Sequence, residues 1–241
     1  MLFGFFLAAV AVISGAIAAV TGFGIGSLLT PTLAVATGTK LAVAAIAIPH
    51  FAATTQRFWI LRRHVDRNVL LGFGLASAAG GLAGALAHTR ATSRALTVVF
   101  GVLLMLAGIS QLTGWMERVR WGSTGAWAAG ALSGALGGLV GNQGGIRSAA
   151  MLGFDVPREA FVATATAVGV LVDVARLPVY LTTQWREIIG IWPLVLTATL
   201  GTMVGTVAGT RILGHLPQRT FRRVVAALLL ALGLAMVLAG A

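Results

Sequence analysis

The chain is an almost unbroken series of apolar runs, and that feature leaves few folds open to it. The runs cover approximately residues 2–20, 22–37, 41–61, 69–87, 95–113, 124–140, 144–154, 160–183, 188–209 and 222–240. Most approach or reach the roughly 20 residues that a helix needs to cross a bilayer core. Only 10% of the 241 residues are charged and 58% are hydrophobic, whereas a soluble domain carries about 25% charge. A soluble globule could not cover its surface with so little charge, and a disordered chain would need low hydrophobicity. The expected fold class is an all-α polytopic membrane protein with no room for a soluble domain.

Cysteine is absent, which removes disulfides, thiolate metal sites and iron–sulfur clusters. No clustered His and acidic residues replace them, so neither a metal nor another cofactor is expected. The net charge of +11 does not point to nucleic acid, because the arginines fall in short loops between apolar runs. Residues 1–20 lack a basic leader and read as a first membrane segment, not a cleaved signal peptide.

Two runs, 22–37 and 144–154, are too short to span. Each follows a glycine-rich break: Thr21-Gly22-Phe23-Gly24-Ile25-Gly26 and Gly141-Asn142-Gln143-Gly144-Gly145. If 2–37 and 124–154 each cross once, the loop Lys and Arg residues divide seven to eight between the two sides. If each returns to its own side, the division becomes eleven to four. The larger group is Arg57, Arg62, Arg63, Arg67, Arg118, Arg120, Arg158, Arg211, Arg219, Arg222 and Arg223, and the smaller is Lys40, Arg90, Arg94 and Arg186. Arg147 and Arg176 then lie within the membrane. The second arrangement obeys the positive-inside rule and puts both termini outside the cytoplasm.

The chain also repeats itself. Ile13-Ser14-Gly15-Ala16-Ile17 matches Leu132-Ser133-Gly134-Ala135-Leu136 at an offset of 119. Gly22 with Gly141, Gly26 with Gly145, and Arg57 with Arg176 keep that offset, while Gly80, Gly84 and Thr89-Arg90 match Gly201, Gly205 and Thr210-Arg211 at 121. The expected organisation is a first transmembrane repeat at 1–113, a connecting loop at 114–123, and a second, inverted repeat at 124–241. Each repeat would open with a glycine-rich broken or re-entrant segment followed by three spanning helices. Inverted repeats with interrupted helices mark transporters, with the substrate near the midplane between the breaks. Free N–H groups at half-helix N-termini favour an anion there.

These motifs carry a resemblance. The first break continues as Gly22-Phe23-Gly24-Ile25-Gly26-Ser27-Leu28-Leu29-Thr30-Pro31, and the second as Gly141-Asn142-Gln143-Gly144-Gly145-Ile146-Arg147-Ser148. Both are similar to the G-x-G-G-G-x-x-x-x-P segment that opens each half of the sulfite exporter TauE/SafE family of membrane permeases. Thr54-Thr55-Gln56-Arg57 through Arg62-Arg63-His64-Val65-Asp66 resembles that family's second helix and basic loop. The sequence departs at Ile25, inside the first glycine run, and at the second copy, which lacks the proline and carries Arg147. The resemblance covers essentially the whole chain. It implies a transporter in the cell (inner) membrane, usually an exporter, for a small sulfur-containing anion such as sulfite or an organosulfonate, working by alternating access.

The candidate substrate-binding residues are Gly22, Phe23, Gly24, Gly26, Thr30, His50, Thr54, Asn142, Gln143, Gly144, Gly145 and Arg147. The glycines also fit tight helix packing. Asn142 and Gln143 could instead cap freed backbone groups. Arg147 could snorkel or pair with Asp155. Arg57, Asp173 and Arg176 form either a vestibule that attracts anions or, for Asp173 and Arg176 three residues apart, a same-face ion pair. His50 follows Pro49 in mid-helix and suits a hydrogen-bonded core position or a titrating one. His64, His88 and His215 fall at loop positions and read as solvated. An anion channel, or a transporter of a different small anion, is the alternative function. An intramembrane serine hydrolase using Ser27 and His50 is a remote one, since no nucleophile motif surrounds Ser27 and nothing local orients the imidazole. The chain is therefore read as no enzyme. Its expected partners are a small anion and the lipid bilayer, with a homodimer left open.

Overall fold

Apolar backbone in lipid must satisfy its own hydrogen bonds, which restricts spanning segments to helices or a closed barrel. The computed structural model describes residues 2–22, 24–118, 123–141, 144, 147, 151, 154, 156–212 and 218–240, and its regular elements there are all helical. Helix α1, Leu2–Thr21, ends at Gly22, whose N–H closes onto the Ala18 carbonyl at 2.9 Å. Gly22 has φ +80° and Gly24 φ +130°, conformations open to glycine at little cost. The chain re-enters helix as α2, Ile25–Thr37, only 13 residues long. Helix α3, Thr39–Leu61, leaves through a 3₁₀ turn at Arg62–His64. Helix α4, Arg67–Arg90, widens to a π-helical turn at Leu70–Gly74. Asp66 caps it by accepting from the Val69 N–H at 3.0 Å. Helix α5, Ser93–Thr113, is capped by the Thr92 hydroxyl on the Ala95 N–H at 3.2 Å. A short turn at Trp115–Arg118 follows.

The second half begins with α6, Ser123–Val140, which stops as α1 does. Gly141 has φ +76° and donates to the Gly137 carbonyl at 2.9 Å. Gly144, Arg147 and Met151 have helical backbone and are buried. Helix α7, Arg158–Gly190, contains Pro178 and a non-helical residue at Gln184. Helices α8, Trp192–Ile212, and α9, Gln218–Gly240, complete the chain. Among the described residues, six helices are long and apolar enough to cross a membrane. The protein is a multi-pass membrane protein. Helix α3 is not among the six although it has 23 residues, because Pro49, His50, Gln56 and Arg57 lower its hydropathy.

Helix α1 packs along α8, and α6 packs along α4; α3 packs on α7, and α5 on α9. Helix α3 also meets α8, as α7 meets α4. Glycines make the closest of these approaches. A Cβ on Gly84 would collide with the Ala135 carbonyl, and one on Gly205 with the Val12 carbonyl. Gly134 faces Ser77, and Gly15 faces Thr202, in the same manner. In lipid such close backbone contact is a main source of helix association, because burying apolar surface gains little there.

Two expectations need correction. Arg57 is not a loop residue on the basic side: it is 7% exposed inside α3. His88 is not solvated either. It is fully buried in α4, with Nδ1 2.8 Å from the Leu139 carbonyl and its ring edge-on to Tyr180. His64 is exposed as expected, and His215 lies outside the described residues.

The packing predicts that Gly84→Leu destabilises the protein in detergent by about 1–3 kcal/mol or more, the usual cost of overpacking. Gly4→Ala should not, since nothing lies within 4 Å of the added carbon. Equal melting temperatures for the two variants would contradict the packing.

Candidate functional site

The two helix breaks are each held by an arginine from a distant helix. The Arg57 Nη1 donates to the Ala18 carbonyl, which also takes the Gly22 N–H. The Arg176 Nη1 donates to the Gly137 carbonyl, which also takes the Gly141 N–H. Each arginine lies 39 residues beyond the carbonyl it holds. Each carbonyl thus closes its ordinary helical bond, and the guanidinium adds a second, charge-assisted donor to the last closed turn before the break.

The two arginines differ in their surroundings. Asp173, one turn before Arg176 on α7, receives Arg176 Nε at 2.9 Å and Nη2 at 2.7 Å on its Oδ1. Its Oδ2 faces His50 Nδ1 of α3 at 2.7 Å. The carboxylate is fully buried and bonded on both oxygens. The i,i+3 ion pair read from the sequence is present, and Asp173 also orients His50, which no local pattern revealed. Among the described residues Arg57 has no such carboxylate partner, and its Nε is buried without a hydrogen bond.

Arg147 completes the group. It is 2% exposed. Its Nη2 donates to the Gly22 carbonyl at 3.3 Å, and its Nε and Nη1 have no partner. Room for the guanidinium comes from Gly169 on α7: a Cβ there would stand 3.0 Å from Arg147 Nη1 and 3.2 Å from Thr54 Cγ2. Arg147 thus reaches from the second half to the first break. The breaks also touch each other, since a Cβ on Gly26 would strike the Gly141 carbonyl. Thr30, 1% exposed with an unbonded hydroxyl, lies close to Gly141, as does Arg176 Nη1.

The structure therefore brings Gly22, Gly26, Thr30, His50, Thr54, Arg57, Arg147, Asp173 and Arg176 into one buried neighbourhood. Gly24 is buried at the first break and packs on Ile17, and Gly144 is buried past the second. Phe23, Asn142, Gln143 and Gly145 lie outside the described residues, as does Asp155, the alternative partner of Arg147. The sequence reading left Arg57, Asp173 and Arg176 as either a vestibule or an ion pair; the structure has the Asp173–Arg176 pair and buries both arginines with a donor on a broken-helix carbonyl. Among the described residues, no group of three or more His, Cys, Asp or Glu could hold a metal ion.

The sequence profile described as sulfite exporter TauE/SafE matches residues 7–236. The chain belongs to the TauE/SafE family. No curated protein and no solved structure matches it at a significant level. Membership makes the protein a membrane transporter of the sulfite or sulfonate exporter type, and the TauE/SafE resemblance read from the glycine breaks is correct over nearly the whole chain.

Asp173→Asn keeps a hydrogen-bonding group beside His50 but leaves Arg176 without its counter-charge. Removing one partner of a buried ion pair costs about 3–5 kcal/mol. The variant should melt well below wild type in detergent, whereas Thr182→Ala, which alters an exposed hydroxyl bonded only within α7, should not. A wild-type melting temperature for Asp173→Asn would remove the ion pair from the account.

Proposed function

We propose that this TauE/SafE protein exports a small sulfur oxyanion or organosulfonate, such as sulfite or sulfoacetate, across the inner membrane by alternating access about a site between the two glycine breaks. The observation that carries the reading is the buried Arg147 guanidinium with two unpartnered donors. An uncompensated charge in an apolar interior costs several kcal/mol. Among the described residues, Asp173 is the one carboxylate bonded to any of the three guanidiniums of Arg57, Arg147 and Arg176, and Arg176 takes it. An entering anion supplies the missing charge and accepts from the idle Arg147 Nη1. The guanidinium fork matches two oxygens on one sulfur.

The arrangement of the chain supports movement around that site. Helix pairs α1–α8 and α6–α4 exchange places when the halves 1–113 and 124–241 are swapped, while α3–α7 and α5–α9 map onto themselves. The exchange supports a two-fold relation between the halves, and the division of loop charge favours an axis in the membrane plane, as in inverted repeats. Arg94 Nε bonds the Gly240 carbonyl at 2.7 Å, which sets the C-terminal end of α9 beside a residue of the arginine-poor side. With Arg57 buried, that division is ten to four, so the positive-inside rule still places the termini outside the cytoplasm.

Arg147→Lys keeps the charge and loses the fork, so sulfite affinity should fall about 10–100-fold. Arg147→Ala should abolish the sulfite-induced rise in melting temperature while the protein still inserts. Wild-type affinity in Arg147→Ala would overturn the site. For the topology, Leu2→Cys and Ala241→Cys in this cysteine-free chain should both react with an impermeant maleimide added from the periplasmic side. Protection of either from that side, with labelling only after lysis, would contradict the orientation.

A further inference from the structure

The relation between the halves locates the anion more closely. At the offset of 119, Arg57 corresponds to Arg176, Ala18 to Gly137 and Gly22 to Gly141. The contacts obey the correspondence: each arginine holds the carbonyl that its counterpart's partner predicts. The same offset pairs Thr54 with Asp173 and Gly169 with His50. These too are neighbours on both sides. His50 meets Asp173 at 2.7 Å, and Thr54 Cγ2 lies 3.2 Å from the point where a Cβ of Gly169 would stand.

The two sides therefore have one layout and different contents. On the second side, the Asp173 carboxylate takes Arg176 Nε and Nη2 and faces His50 Nδ1. On the first side Thr54 stands where the carboxylate stem would be. Arg57 Nε, the counterpart of the Arg176 Nε that Asp173 accepts, is buried and unpartnered. Gly169 replaces His50, and Arg147 Nη1 reaches to 3.0 Å from its missing Cβ. That Nη1, with Nε of the same guanidinium, is the second unpartnered donor group. The donors that would satisfy a carboxylate are in place on the first side, and the carboxylate is not.

We infer that the transported anion binds beside Thr54, at the position corresponding to the Asp173 carboxylate, accepting from Arg57 Nε and from Arg147 Nη1. Asp173 in its own half has the geometry of the bound ligand. The ligand class is an oxyanion with two or more oxygens on one atom, a sulfite or the sulfonate head of a larger molecule. Arg57 becomes a ligand-binding residue in addition to its hold on Ala18. Gly169 sets specificity, because a side chain there would crowd Arg147 Nη1 and Thr54 at the donor set.

The inference rests on the reading of the chain as an anion transporter, and its test separates the two. Thr54→Asp tethers a carboxylate at the proposed position, and Thr54→Asn is its uncharged isostere. Purified Thr54→Asp should melt higher than wild type without ligand and show no rise with sulfite or sulfoacetate. Thr54→Asn should melt near wild type and keep most of the rise. Arg57→Lys, which loses Nε but keeps a charge, should bind sulfite at least tenfold more weakly. The inference is overturned if Thr54→Asp keeps the wild-type sulfite response, or if it melts below Thr54→Asn. Should Thr54→Asp not be recovered from membranes, wild-type sulfite affinity in Arg57→Lys overturns it equally. Loss of sulfite binding in Arg147→Ala together with an intact response in Thr54→Asp would spare the transporter reading and reject this position.

Discussion

Three guanidiniums lie buried in an apolar interior, and among the described residues one carboxylate answers them. That imbalance organises the rest of the structure. Arg57 and Arg176 are tolerated in part because each places a donor on a carbonyl at the end of a broken helix, a charge-assisted bond in the buried interior. Glycine at positive φ ends the helix, and the arginine adds a second donor to the last carbonyl that closes a helical bond. The charge left over after these local bargains belongs to Arg147 and to the Nε of Arg57. An anion is the group that would neutralise it.

The same economy explains the dense glycine packing around the site. A membrane interior gives little reward for burying apolar surface, so α1 on α8 and α4 on α6 are held by backbone-to-backbone approach at Gly15, Gly84, Gly134 and Gly205. Two rigid pairs of this kind leave α3 and α7, with their arginines, as the elements that meet between them. Gln184 interrupts α7 near Pro178. Close by, buried His88 lies 3.3 Å from the Gln184 amide nitrogen and bonds Leu139 beside the second break. The long helix is therefore tied to α4 at its interruption.

Much of this was legible in the sequence, because membrane helices and glycine breaks are local features. The apolar runs mark most of the helices to within a few residues, although α7 continues to Gly190 past the run that ends at 183; helices stop at Gly22 and Gly141, and α2 starts after Gly24. The Asp173–Arg176 pair followed from i,i+3 spacing. The pairing of His50 with Asp173 did not, since the two are 123 residues apart and no periodicity links them. Arg57 was read as a loop residue because it sits five residues before the basic cluster Arg62-Arg63. Its match to Arg176 at offset 119 was the signal for burial, and the same offset would have paired Thr54 with Asp173. His88 was misplaced because it falls two residues before Arg90 at the end of α4, where exposure is the default expectation. Packing against Leu139 and Tyr180 decided otherwise.

The central claim is that an anion completes the buried charge set at Arg147. A structure determined with selenite, the selenium analogue of sulfite, at a wavelength where selenium scatters anomalously tests it most directly. The account predicts one strong anomalous peak within hydrogen-bonding distance of the Arg147 guanidinium, removed by an excess of sulfite. A peak confined to the exposed arginines Arg62, Arg63 and Arg67 would contradict it. So would an Arg147 whose Nε and Nη1 are fully taken by protein groups in the anion-loaded state.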